Sequence, residues 1–130
     1  MAAPSTVLRL ADIETPYRVP PHNVEAEQAL LGAILVNNDA YFRVSDFLEP
    51  THFSEELHRR IYDILQQLIR AGKLATPVTL KSFVGDQDLG GMTVPQYLAR
   101  LAAEATTVVN AEAYGRTIYD LAMRRQLINI

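Results

Sequence analysis

Residues 23–35 carry apolar side chains on nearly every face of a helix, with polar residues only at the start. The larger apolar side chains are Val24, Leu30, Leu31, Ile34 and Leu35. A helix that is apolar all round is usually buried. Asn23 is a favoured N-cap, and Glu25 and Glu27 lie in the first turn, where the helix dipole stabilises carboxylates. The pattern predicts a central helix, in which Gly32 would let a neighbouring backbone approach closely.

Caps, stop signals and apolar spacing predict four further helices before the last one. They cover about residues 40–47, 55–71, 77–84 and 94–105. Ser54 is the expected cap of the second of these helices and Gly72 its stop signal. Thr76 caps the third, which Pro77 starts. No alternation typical of strands is present, so the predicted class is all-α, a compact bundle of about six helices.

The last helix is capped by Asn110 and carries two apolar faces. One face consists of Tyr114, Ile118, Leu121, Ala122 and Ile128, with Arg125 in its middle. The other consists of Tyr119, Met123, Leu127 and Ile130. Since one face is enough to dock a terminal helix on a small domain, the second is a candidate protein interface. The alternative is that both faces are buried within the domain.

The predicted organisation has three parts. Residues 1–22 contain four prolines and no sustained periodicity, so we expect a mobile tail. Residues 23–109 form the helical globular head. Residues 110–130 form the start of a C-terminal helix, which we expect to continue toward a helical hairpin that the chain end interrupts.

Composition limits the function classes. The chain has 130 residues, no cysteine and a net charge of −3. The absence of cysteine excludes disulfides and thiolate zinc sites. No apolar run reaches the ~18 residues that span a bilayer, so we expect a soluble cytoplasmic protein. The acidic balance does not favour general attraction to nucleic acid, although a local basic patch is compatible with it.

Candidate catalytic and ligand-binding motifs are incomplete. Gly72-Lys73 is the only Gly-Lys pair and lacks the remainder of a P-loop. Asp86, Asp88 and Gly91 fit three positions of a calcium loop, but the twelfth position is Tyr97 instead of a carboxylate. His52 and His58 are six residues apart, which does not place two ligands on one helix face. We therefore predict no catalytic, cofactor or metal residues, and expect His58 to pack at the edge of the core.

Five segments in order resemble the N-terminal domain of the DnaB-type bacterial replicative DNA helicase. They are PPHNVEAEQALLGAIL, HFSEELHRRIYDILQQLIRAG, PVTLKSF, GGMTVPQYLARLA and NAEAYGRTIYDLAMRRQLI. The resemblance implies a collar domain of a hexameric helicase that unwinds DNA at the replication fork. It further implies self-association, as a dimer in isolation, and contacts with primase and a helicase loader. ATP, Mg and DNA would be bound by a motor domain that this chain lacks, so the chain itself is expected not to be an enzyme.

Two other functions stay open at this stage. One is a stand-alone helical adapter, such as the helicase-binding domain of primase, which has a similar fold type. The other is a small helical DNA-binding module, which the acidic balance disfavours. The order of the five segments favours the helicase domain.

Overall fold

The computed structural model describes residues 22–85, 87–105 and 110–128. These residues form five α-helices and two short 3-10 helices. In chain order they are α1 (Val24–Val36), η1 (Asn38–Arg43), η2 (Pro50–His52), α2 (Glu56–Arg70), α3 (Pro77–Val84), α4 (Val94–Glu104) and α5 (Ala111–Ile128). The described residues include no strand, only an isolated bridge between Asp88 and Thr93. The all-α prediction is confirmed, whereas the predicted tail, apart from His22, lies outside the described residues.

Helix α1 is the central element, as predicted. It packs against α2, α4, α5 and η1, and Leu30, Leu31 and Ile34 are fully buried. The side chain of Asn23 caps the helix by accepting from the Ala26 N–H at 3.0 Å. A Cβ atom at Gly32 would collide with the backbone carbonyl oxygen of Leu101. The glycine therefore permits the close approach of α4.

Most of the predicted helix boundaries are confirmed. Gly72 follows α2 with a φ of +75°, a left-handed conformation that glycine adopts without strain. Thr76 caps α3 through a capping box with Thr79. Thr93 and Gln96 form the same arrangement at the start of α4. Helix α2 buries one face, as its amphipathic pattern predicts.

The short helix predicted over residues 40–47 is present as a 3-10 helix over Asn38–Arg43, and the prediction that it extends to Phe47 is wrong. The segment forms the 3-10 helix η1 and then turns. The side chain of Asn38 bonds the Ile34 carbonyl and, at 2.8 and 2.9 Å, the carbonyl and N–H of Ala75. The side chain of Asn37 accepts from the Asp39 N–H. These bonds to the asparagines favour a tight local turn over an extended helix.

The prediction that Ser54 caps α2 is also wrong. Glu55 occupies the N-cap position, and its side chain makes no capping bond. The Ser54 N–H instead donates to Oε2 of Glu27, 2.8 Å away on α1. This bond uses the backbone of Ser54, while its buried hydroxyl makes no hydrogen bond within the described residues.

Helix α5 packs along α1, η1 and η2. Its buried residues are Ala111, Gly115, Ile118 and Ala122. A Cβ at Gly115 would collide with the side chain of Val44, so the small residues bring α5 close to the domain. Ile128, which the apolar spacing placed on this docking face, is 60% exposed, because the helix has by then passed the surface on which it packs.

Among the described residues, no helix combines the length and the apolar character needed to cross a membrane.

Candidate protein interface and a buried polar network

The predicted interface face of α5 is divided between the domain and the solvent. Tyr119 and Met123 are partly buried, and Leu127 is 72% exposed. Ile130 lies outside the described residues. The face begins as an intrachain contact and becomes a surface toward the end of the helix. Only its second part is available to a partner.

Tyr119 is held by two rings of the same domain. Its ring meets Phe47 edge to face at a centroid distance of 5.9 Å, and His52 in the same way at 5.1 Å. Edge-to-face contacts of this kind stabilise aromatic packing. Arg116 lies over the ring of Phe47, with its guanidinium carbon 3.8 Å from the ring centroid. Tyr119 therefore helps to anchor α5 on the segment that precedes α2.

Arg125, which interrupts the apolar docking face in the sequence, has a structural function. Its Nη2 donates to the carbonyl oxygen of His52 at 2.6 Å. Burial, opposed by Glu49 and assisted by Arg125, lowers the pKa of His52 below its ordinary value. Arg125 thus forms a hydrogen bond to η2 at a position where the docking face would otherwise carry an apolar side chain. Beyond it, Leu127 and Ile128 are both exposed.

A buried polar network links α1, α2 and α4. Glu27 is 1% exposed and His58 is 2% exposed. Oε1 of Glu27 lies 2.8 Å from Nδ1 of His58, and Nε2 of His58 lies 2.7 Å from the hydroxyl of Tyr97. Gln28 donates to the same hydroxyl at 3.0 Å. His58 thus bridges a carboxylate and a phenol.

The protonation of this network follows from its hydrogen bonds. Burial alone would raise the pKa of Glu27, but the bonds from His58 and from the Ser54 N–H outweigh it and lower the pKa. Burial raises the pKa of Tyr97, against the hydrogen bond from Gln28. Glu27 is therefore ionised and Tyr97 neutral at neutral pH.

The exposed end of the network opens into a cavity of about 550 Å³. Its lining residues are Gln28, Leu89, Gly90, Gly91, Met92, Tyr97, Arg100, Leu101 and Glu104. Oδ1 of Asp88 accepts from the N–H groups of Gly90 and Gly91, which shapes the turn over the cavity. Of the segment considered as a calcium loop, residues 88–91 form a turn closed by the carboxylate of Asp88, and Asp86 lies outside the described residues.

The sequence pattern placed Glu27 only in the first turn of α1 and His58 only at the edge of the core. A signal for Glu27 was nonetheless present. Leu30, Leu31 and Ile34 follow it at three, four and seven residues, the spacing of one helix face. A carboxylate on that face needs a buried partner. His58 on the buried side of α2 meets this requirement.

The Gly72-Lys73 pair does not form a phosphate site. Gly72-Lys73 follows the C-terminal end of α2, where the helix dipole is negative and disfavours a phosphate. No group of three or more His, Cys, Asp or Glu side chains suited to a metal ion occurs in this part of the chain.

Residues 19–120 match the family described as DnaB-like helicase N terminal domain. The chain is 46% identical over 121 residues to the replicative DNA helicase DnaB of Rickettsia felis, covering 92% of this chain and 24% of that protein. It is 35% identical over 115 residues to the replicative DNA helicase DnaC of Bacillus subtilis, covering 85% of this chain and 25% of that protein. The chain thus spans about a quarter of the length of these relatives.

Solved structures show the same fold. The crystal structure of the N-terminal domain of DnaB helicase from Mycobacterium tuberculosis superposes with a TM-score of 0.75 at 30% identity, covering 85% of this chain and 81% of that one. A DnaB-like replicative helicase, described together with its interactions with primase, gives a TM-score of 0.69 at 31% identity, covering 82% of this chain and 25% of that one. The match to the family covers most of the chain, and the fold agrees with it. The chain belongs to the DnaB-like helicase N-terminal domain family.

Proposed function

We propose that this chain is the N-terminal collar domain of a hexameric replicative DNA helicase that unwinds DNA at the replication fork. The observation that carries this proposal is the agreement of sequence and fold with the N-terminal domain of a DnaB helicase, at 30% identity and a TM-score of 0.75. The replicative helicases that match the chain favour this function over a stand-alone adapter or a DNA-binding module.

In this proposal the collar carries no chemistry of its own. ATP and Mg would be bound by a motor domain in the longer protein, a proposal supported by the chain's match to about a quarter of the length of replicative helicases. DNA would likewise be contacted through the motor. The expected location is the cytoplasm. Sequencing the gene around this segment tests the proposal directly: a P-loop downstream is expected, and an open reading frame without one would contradict it.

The collar's proposed tasks are self-association and the binding of primase and of a helicase loader. The primase contact is supported by the similar helicase whose structure was described with its interactions with primase. Self-association is supported by the exposed end of α5, where Leu127 is 72% exposed.

The primase contact can be measured by sedimentation velocity with primase from the same genome. A mixture of the chain and primase should contain a species that sediments faster than either protein alone. The matched control is primase without its helicase-binding domain, which should leave the chain's sedimentation unchanged. A mixture of the full-length proteins that shows no complex would contradict the primase assignment.

A further inference from the structure

The donor and acceptor roles in the hydrogen bonds around His58 follow from the charge of Glu27. An ionised carboxylate only accepts hydrogen bonds, so Glu27 requires a proton on Nδ1 of His58, 2.8 Å away. In a neutral imidazole the other nitrogen is then an acceptor. The hydroxyl of Tyr97 must therefore donate to Nε2 across 2.7 Å. Its oxygen remains free to accept, and it does so from Nε2 of Gln28.

Adding one proton to His58 reverses the direction of its hydrogen bond with Tyr97. In the imidazolium form both ring nitrogens donate, so Nε2 of His58 becomes a donor to the oxygen of Tyr97. The hydroxyl proton of Tyr97 must turn to another acceptor. The amide of Gln28 already touches this hydroxyl and supplies an acceptor if it rotates to present Oε1. The balance is one proton taken from water and held on Nε2, with no other bond made or broken.

We propose that His58, Tyr97 and Gln28 form a proton-operated switch in which protonation of His58 reverses the Tyr97 hydrogen bond and rotates the amide of Gln28. The amide and the phenol both line the cavity of about 550 Å³ next to Gly90 and Gly91. The switch therefore exchanges hydrogen-bond donors and acceptors on the cavity wall. We expect helix α4 to keep its position during this exchange, because Val94, Leu98 and Leu101 are buried in the core.

The charged and titratable groups near the switch come from several elements. Glu27 on α1 contacts His58 directly, with Oε1 2.8 Å from Nδ1. Glu55 and Arg100 act on Tyr97 with opposite signs. On η2, the Nδ1 of His52 accepts from the Glu49 N–H, and its ring contacts Tyr119.

Glu104 and Lys81 are two further charged groups on the elements around the switch. Arg100 pairs with Glu104 at 3.2 Å, which reduces its effect on the network. Lys81 on α3 is exposed to solvent. The nearest charge is thus the carboxylate of Glu27, which is ionised in both states of the switch.

Nuclear magnetic resonance on the folded chain tests this switch without a mutation. Long-range ¹H–¹⁵N spectra of the histidine rings, recorded from about pH 8 to pH 5, cover the range in which histidines generally change charge. At high pH, His58 should carry its proton on Nδ1. On acidification, the side-chain amide signals of Gln28 and the ring signals of Tyr97 should shift with the same midpoint as His58.

A matched pair of variants then separates the switch from general titration of the fold. In Tyr97→Phe, His58 should still titrate, but the Gln28 amide should no longer follow it. Tyr114→Phe removes a hydroxyl on α5, outside the network, and should leave the coupling intact. The proposal is overturned if wild-type His58 carries its proton on Nε2 at high pH, stays unprotonated while the chain remains folded, or titrates without the Gln28 amide.

Discussion

At the residue scale, the buried carboxylate of Glu27 joins α1 to Ser54 and to His58 on α2. Each of its oxygens accepts one N–H bond, from Ser54 and from His58. A glutamine has one accepting oxygen and one donating nitrogen. Its oxygen can accept from the Ser54 N–H, but its N–H group then faces Nδ1 of His58, which must give up its proton and change tautomer. The charge and the geometry of Glu27 are therefore both needed.

We expect Glu27→Gln to lower the free energy of unfolding by about 1 to 3 kcal/mol at neutral pH, the cost of leaving buried polar groups without partners. The matched control is Glu25→Gln, which alters an exposed carboxylate in the same turn and should have little effect. Urea unfolding followed by circular dichroism measures both. Equal stability of the two variants would contradict the structural role of Glu27.

The same residue predicts a pH dependence. The pKa of Glu27 is lowered in the folded chain. Its contribution to stability is therefore complete above the ordinary glutamate pKa, and is lost as the pH falls through the lower pKa of the folded state. The difference in unfolding free energy between the wild type and Glu27→Gln should shrink as unfolding is measured at successively lower pH. A difference that stays constant down to acid unfolding would contradict this linkage.

At the element scale, the parts of the fold that follow local rules were predictable. Thr76 with Pro77 and Gly72 mark helix ends by their own chemistry. The errors arose where a distant residue competes with the local signal. Ser54 gives its N–H to Glu27 and does not cap α2, which nevertheless begins near the predicted residue. Asn38 binds Ala75, and the predicted helix over residues 40–47 is replaced by the shorter η1. The sequence pattern does not reveal partners that are far apart along the chain.

The candidate site shows the same division. The helical wheel correctly grouped Ile118 and Ala122 on the docking face, but it could not show where the domain surface ends along α5. Tyr119 is therefore packed against Phe47 and His52, whereas Leu127 is exposed. The interface assignment itself stays a prediction.

Helix packing also predicts different effects for two glycines. A Cβ at Gly32 would meet the backbone of Leu101, whereas a Cβ at Gly115 would meet the side chain of Val44. A backbone cannot move without displacing its helix, whereas Val44 could relieve the clash by a change of its χ1 angle, which burial and β-branching restrict. Gly32→Ala should therefore destabilise the chain by about 1 to 3 kcal/mol, despite the higher helix propensity of alanine.

Gly115→Ala is the comparison and should cost less than Gly32→Ala. Thermal unfolding at matched concentration measures the midpoints of both variants and of the wild type. If Gly32→Ala were as stable as the wild type, α1 and α4 would have to be farther apart than the structure shows.

At the scale of the whole molecule, the chain is a scaffold of packed helices with a polar link across its core. The proposed collar function requires it to bind proteins and to leave nucleotide chemistry to another domain. Calorimetric titration of the purified chain with ATP and Mg should give no saturable heat, because Gly72-Lys73 lies at the wrong end of a helix for phosphate. A P-loop protein titrated in the same buffer is the positive control. A one-to-one binding isotherm for the chain would contradict the prediction.

Self-association is the property that the exposed end of α5 should determine. If Leu127 is buried in a dimer, replacing it with Asp removes a contact worth roughly 1.5 to 3 kcal/mol and places a charge in the interface. The dimer dissociation constant should rise at least about tenfold, since each 1.4 kcal/mol corresponds to a factor of ten. The fold should survive, because Leu127 is 72% exposed in the single chain.

Ile128→Asp is the matched control: Ile128 is also exposed, at 60%, but lies one residue around the helix from the interface face. Sedimentation velocity at several concentrations, with circular dichroism for helix content, should show dissociation only for Leu127→Asp. Equal dissociation of both variants would assign the effect to charge at the end of the helix, and a wild type that stays monomeric at high concentration would refute the interface.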